Sequence, residues 1–161
     1  MSAPVLCFDI GTTGAAGIVK PDLTLVEVID MPVLRDGPKG RPAVNAALLA
    51  EFVFRAHASH AYIEYVGARP GEGAVGAFSF GRSRGVVEGV LAAAGIPATF
   101  IAPAAWKRLV GLTLQNKDAA CAEAIRRWPG HASLFARVKD DGRAEAALIG
   151  VAGLLRDGGA K

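Results

Sequence analysis

Two apolar runs each carry a single carboxylate: Val5-Leu6-Cys7-Phe8-Asp9-Ile10-Gly11 and Ala61-Tyr62-Ile63-Glu64-Tyr65-Val66. Both have the composition of strands. Acidic residues are depleted in strands and are almost never buried unless they are paired or bound to metal. A fold that accepts both acids must therefore compensate their charge. Stability explains neither residue, whereas convergence on a divalent cation explains both.

The rest of the chain can be ordered around these two strands. Val5–Asp9 leads through the turn Gly11-Thr12-Thr13-Gly14 into a second strand, Ala15–Val19. Pro21-Asp22 turns into a third, Leu23–Met31, so the chain opens as an antiparallel meander. Residues 32–42, with Pro32, Asp36-Gly37-Pro38, Gly40 and Pro42, read as a polar loop. Val44, Leu48, Leu49, Phe52 and Val53 keep helical spacing within 44–57, and Ala61–Val66 is the fourth strand. A Gly-rich loop at 67–76 precedes a helix reaching about Ala94. Pro97–Ile101 is the fifth strand, and Pro103 opens a short helix with Trp106 and Lys107. A helix over Lys117–Trp128 stops at Pro129-Gly130. The last helix starts near Asp140-Asp141-Gly142, runs to about Leu155 and is closed by Gly158-Gly159. This order predicts an α/β fold, one mixed five-stranded sheet flanked by helices, in a single domain over 1–161.

Composition narrows the setting. The chain is 52% apolar and 20% charged, as globular proteins are. No basic region followed by an apolar stretch opens it, and Glu88, Gly95 and Pro97 interrupt its longest apolar segment, so neither a secretory signal nor a membrane span is expected. Cys7 and Cys121 share no metal or redox spacing and read as reduced thiols of a cytoplasmic protein. His57, His60 and His131 form no motif. The net charge is only +3, yet residues 66–139 hold ten basic side chains against four acidic ones. That stretch suits a polyanion binder or an ordinary solvated surface.

The chemistry concentrates in three places. Asp141 and Glu145 are four residues apart, hence on one face at the start of the last helix, with Asp140 one step off it. Taken alone these acids cap a helix; taken with Asp9 and Glu64 they complete a metal site. After Glu64 come Gly67, Gly71, Gly73 and Gly76, then Phe78, Phe80, Arg82 and Arg84, a combination that admits backbone close to phosphate and rings that stack on unpaired bases. Two buried rings are the alternative. Gly81, Gly85, Gly89 and Ala93 repeat every four residues, a narrow stripe that either the sheet or a second subunit must cover. Lys139 and Arg143, with Arg126, Arg127 and Arg137, either track phosphates or keep the surface soluble.

The order of motifs resembles the RuvC-like Holliday junction resolvases of the RNase H-like superfamily, in particular their compact phage and bacterial branch. The resemblance is carried by Phe8-Asp9-Ile10-Gly11 with Thr12 to Gly17, by Ile63-Glu64 and by Ala77-Phe78-Ser79-Phe80-Gly81. It continues through Pro103-Ala104-Ala105-Trp106-Lys107, Lys117-Asp118 and Lys139-Asp140-Asp141-Gly142-Arg143-Ala144-Glu145-Ala146, and so spans nearly the whole chain. It implies an RNase H-like nuclease domain with metal ligands at Asp9, Glu64, Asp141 and Glu145, and Asp140 competing with Asp141. It implies that Lys107 and Lys117 approach the scissile phosphate, with a surface lysine the alternative for each. Phe78, Phe80, Arg82, Arg84, Lys107, Lys117, Lys139 and Arg143 are the expected DNA contacts.

The implied activity is Mg²⁺-dependent cleavage of four-way DNA junctions by a homodimer in a bacterial cell or phage-infected host. Two ions per site are expected, with Mn²⁺ substituting. Ribonuclease H action on RNA–DNA hybrids keeps the fold and changes the substrate. Asp9-Ile10-Gly11-Thr12-Thr13-Gly14 also resembles the phosphate loop of sugar kinases and actin-like ATPases, but those enclose a nucleotide between two such domains and 161 residues supply one.

Overall fold

The computed structural model describes residues 2–35, 40–112 and 118–158. Strands β1 (Val5–Asp9), β2 (Ala15–Val19) and β3 (Leu25–Asp30) form the antiparallel meander. A hairpin follows, β4 (Val33–Arg35) against β5 (Pro42–Val44), then helix α1 (Ala46–Ala56) and strand β6 (His60–Glu64). Helix α2 (Ala74–Ala93), strand β7 (Ala98–Ile101) and helices α3 (Pro103–Leu109), α4 (Ala119–Arg127) and α5 (Asp141–Arg156) complete the chain. The five-stranded sheet has the order β3-β2-β1-β6-β7, with β1, β6 and β7 parallel.

β1 is central, and its side chains alternate between two cores. Leu6, Phe8 and Ile10 pack toward α1 and α2, with Ile63, Phe52, Val87 and Leu91. Val5 and Cys7 pack toward α3, α4 and α5, with Tyr62, Trp106 and Ile149. Strand alternation therefore assigns Asp9, in phase with Val5 and Cys7, to the α5 side. Glu64, in phase with Tyr62, falls on the same side. Phe8 pairs with Ile63 in the parallel ladder, so the next residue in each strand is an acid.

α5 is buried along nearly its whole length, from Ala144 to Leu154. Small residues let it approach the sheet: a Cβ on Gly150 would stand 3.0 Å from Cys7 Sγ, and one on Gly142 would stand 3.0 Å from the Thr13 carbonyl oxygen. The helix thus starts directly over the β1–β2 turn. Gly11 takes φ +138° there, and a Cβ on Gly14 would overlap the Asp9 carbonyl oxygen. Cys7, sealed beneath α5, has its thiol pushed up to about 12 by burial.

Several expectations shift. Within the expected loop at 32–42, residues 33–35 form a strand that pairs with 42–44 in a two-stranded ladder. β3 begins at Leu25 because Asp22 Oδ1 accepts the Thr24 amide and holds the preceding turn. Asn45 caps α1 by accepting from the Leu48 amide, so the helix begins past Val44. β6 opens one residue before the expected strand, at His60, whose Nε2 lies 2.8 Å from Thr99 Oγ1. Between α4 and α5 the chain forms two 3-10 turns, Pro129–Phe135 and Val138–Asp140. No described helix is long and apolar enough to cross a membrane.

The glycine stripe of α2 points away from the sheet. Ser83, Val87 and Leu91 form the buried face of that helix, whereas a Cβ on Gly81, Gly85 or Gly89 would meet nothing within 4 Å. Of the two covers considered for the stripe, the sheet is excluded.

Candidate active site

Four carboxylates gather where β1, β6 and the first turns of α5 meet. Burial raises the Asp9 carboxyl well above its ordinary range, and the charges of Glu145, Glu64 and Asp141 raise it further, with Lys107 opposing them. Glu145 is raised for the same reasons: burial first, then Glu64, with Lys107 opposing and Asp141 adding. Such mutual perturbation requires the groups to be near neighbours in a poorly solvated corner. Asp9, Glu64, Glu145 and Lys107 nevertheless stay partly open to solvent, and Asp141 is exposed. A cleft of about 550 Å³ lined by Glu64, Gly67, Arg69, Lys107 and Glu145 leads in from outside.

Asp140 does not join this group. Its carboxylate is almost fully buried and accepts from Arg137 at 2.8 Å, with Arg143 3.8 Å away. Those guanidinium contacts, the Arg137 hydrogen bond above all, hold it below the usual aspartate range. One residue of helical rotation separates it from Asp141, which faces the cluster. Asp140 thus turns to Arg137 from the 3-10 turn before α5, whereas Asp141, the first residue of α5, lies close enough to Asp9 to raise its carboxyl.

The expected DNA contacts divide in the same way. Phe78 is 75% exposed on α2 beside Arg82, along an apolar cleft with Arg41, Pro42 and Val75. Phe80 instead packs against the core under α2. Arg84 lies 4.5 Å over the Phe100 ring and 5.4 Å over Tyr65, and pairs with Glu88 at 2.6 Å. It braces the segment after Glu64 and does not reach outward. Arg143 is largely buried and forms a two-pronged pair with Asp30 across 113 residues of sequence, at 2.6 and 2.8 Å. Lys139 is exposed. Lys117 lies outside the described residues.

Trp106 is wholly buried, and its Nε1–H donates to Glu64 Oε1 at 2.8 Å. That role was not read from the sequence, although a buried indole N–H requires an acceptor and Lys107 is its neighbour.

Among the described residues no three His, Cys, Asp or Glu side chains form a ready-made ion cage. The donor set still fits a hard divalent cation. It consists of carboxylate oxygens from three elements, burial and the neighbouring acids hold the Asp9 and Glu145 carboxyls above their ordinary ranges, and Lys107 opposes that rise.

A scan against family models matches none, and no curated protein matches the chain. Solved structures do match. A structure of Thermus thermophilus RuvC superposes with a TM-score of 0.64 at 20% identity, over 98% of this chain and 98% of that one. T. thermophilus RuvC in complex with Holliday junction substrate gives 0.63 at 20% identity, over 99% of this chain and 98% of that one. The chain therefore shares the fold of these structures over nearly its whole length, as the order of motifs implied.

Proposed function

We propose that the chain is a structure-selective endonuclease that resolves four-way DNA junctions by metal-assisted phosphodiester hydrolysis. The observation that carries the reading is the gathering of Asp9, Glu64, Asp141 and Glu145 from β1, β6 and α5 into one open, electrostatically strained corner. Structural stability does not call for four acids there. The likeness to a protein solved with a Holliday junction supports the choice of substrate.

In this reading the whole described fold is one nuclease domain, and the four carboxylates hold Mg²⁺, with Mn²⁺ able to replace it and two ions per site. The metal supplies charge neutralisation at the phosphate and acidification of water. Lys107, set at the cleft between Glu64 and Glu145, adds positive charge at the scissile phosphate. The cleft along residues 65–70 admits the backbone, and Arg69 and Arg82 face the polyanion. The exposed stripe of α2 meets the same stripe of a second copy, since symmetric incision of a junction requires two sites. The setting is the cytoplasm of a bacterial cell or phage-infected host.

The decisive assay is Mg²⁺-dependent cleavage of a synthetic four-way junction, beside linear duplex and an RNA–DNA hybrid. Paired symmetric nicks confined to the junction are expected. Cleavage of the hybrid in preference would move the activity to a ribonuclease on the same site.

The two phenylalanines give a finer test. Phe78→Ala should leave the unfolding midpoint nearly unchanged, within about 0.5 kcal/mol, because the ring touches little of the protein. Its junction cleavage should fall by about tenfold, the loss of one stacking contact at about 1–3 kcal/mol. Phe80→Ala should cost about 1–2 kcal/mol of stability by vacating a half-buried site. Unchanged junction cleavage by Phe78→Ala would remove the ring from substrate binding.

A further inference from the structure

Trp106 and Trp128 make the same kind of bond to different kinds of partner. Trp128 Nε1–H donates to the Leu23 carbonyl oxygen at 2.9 Å, an ordinary way for a buried indole to satisfy its donor. Trp106, 0% exposed, donates to a carboxylate that lines the open cleft with Lys107 and Glu145. The indole is neutral, so the bond holds Glu64 without cancelling its charge. It engages one lone pair of Oε1 and brings no positive charge to the carboxylate. An arginine at the same place would have paired the carboxylate and weakened it as a cation ligand, as Arg137 does to Asp140. Trp106 is itself immobile: it is packed in the core on the α5 side of the sheet, in a helix opened by Pro103. Lys107 follows it in α3, with Nζ 5.4 Å from the Trp106 ring. One short helix thus sets both the orientation of Glu64 and the position of the cation nearest the acids.

From this geometry we infer that Trp106 is a positioning residue that locks Glu64 in the orientation that binds a divalent cation. The inference rests on the metal-site reading proposed above. Groups that hydrogen-bond to a metal ligand from behind typically change metal affinity by about 10–100-fold when removed.

The test is calorimetric titration of Mn²⁺ into the full-length metal-free protein without DNA, comparing the parent with Trp106→Phe and Trp128→Phe. Circular dichroism confirms the fold of each. Trp106→Phe is expected to raise the Mn²⁺ dissociation constant by about tenfold or more, and Trp128→Phe to leave it unchanged. In cleavage assays the Trp106→Phe defect should shrink as metal is raised to saturation, which a merely structural lesion would not do. If Trp106→Phe fails to fold, 3-benzothienylalanine at position 106 fills the same volume without an N–H and takes its place. A folded variant that binds Mn²⁺ as tightly as the parent overturns the inference, even if junctions are cut. Loss of Mn²⁺ affinity in Trp106→Phe, when the parent itself cuts no junction, upholds the inference and overturns the junction-resolving reading.

Discussion

Asp9→Asn should cut no four-way junction within the range of a gel assay, a loss of about a thousandfold or more, equivalent to about 4 kcal/mol of barrier. Asparagine keeps the size and shape of the side chain on β1 and removes the charge that a cation needs. The β1–β2 turn beneath it depends on backbone contacts of Gly11 and Gly14, which the substitution leaves intact. Junction binding in a gel shift should therefore match the parent. Normal cleavage by this variant would disprove the site.

The same substitution has an opposite effect on stability, and its sign follows from the titration. The folded protein holds the Asp9 carboxyl well above its ordinary range, through burial and the charges of Glu145, Glu64 and Asp141. Between the ordinary aspartate range and that raised value the folded state binds more protons than the unfolded state. Stability consequently falls as pH rises through this window. Asparagine has no proton to lose. In EDTA the Asp9→Asn protein should melt above the parent at neutral pH, and the two curves should converge as pH drops toward the ordinary aspartate range. Glu145 is shifted in the same direction, so Asp9→Asn should remove part of the parent's decline with pH and leave the rest. A parent that gains stability over Asp9→Asn as pH rises would mean that the four acids do not press on one another.

Gly153→Ala should destabilise the protein by about 2 kcal/mol or more, although alanine in place of glycine inside a helix normally stabilises it by about 1 kcal/mol. A Cβ at 153 would fall inside the Tyr62 ring. That ring cannot retreat. It is buried against the sheet, it tilts against His60 at 4.9 Å, and its hydroxyl donates to Asp157 Oδ2 at 2.7 Å. The helix must lift instead, which pulls Asp141 and Glu145 away from Asp9, so activity should fall with stability. Gly85→Ala provides the contrast. Its Cβ meets nothing within 4 Å, and the monomer should gain about 1 kcal/mol. Urea midpoints measure both; equal shifts for the two variants would show that α5 is not packed as tightly as described here.

The strands and helices were legible because their signals are local. Asp9 and Glu64 stood out as charges inside apolar runs, and the alternation of β1 and β6 puts both on one side of the sheet. Pro103 and Pro129 marked boundaries through backbone chemistry of their own. The β4–β5 ladder was missed because three-residue strands are too short to show alternation, and prolines and glycines between them dominate the pattern. Phe80 and Arg84 were read outward because aromatic and basic residues two apart on a helix have no fixed orientation until the helix meets its sheet.

What the sequence determined by itself is the set of candidate groups: two strand carboxylates, a pair four apart on the last helix, and a lysine after Pro103. Their spacing is a matter of strand and helix periods, which a chain obeys before it folds. Which acids come together was decided only by tertiary structure. Asp140 and Asp141 are neighbours in sequence, yet one meets Arg137 and the other faces Asp9. Arg143 found Asp30 across 113 residues of sequence, and Trp106 found Glu64. Those partners are set by how closely α5 and α3 settle on the sheet, and that distance depends on glycines whose effect appears only when two elements touch.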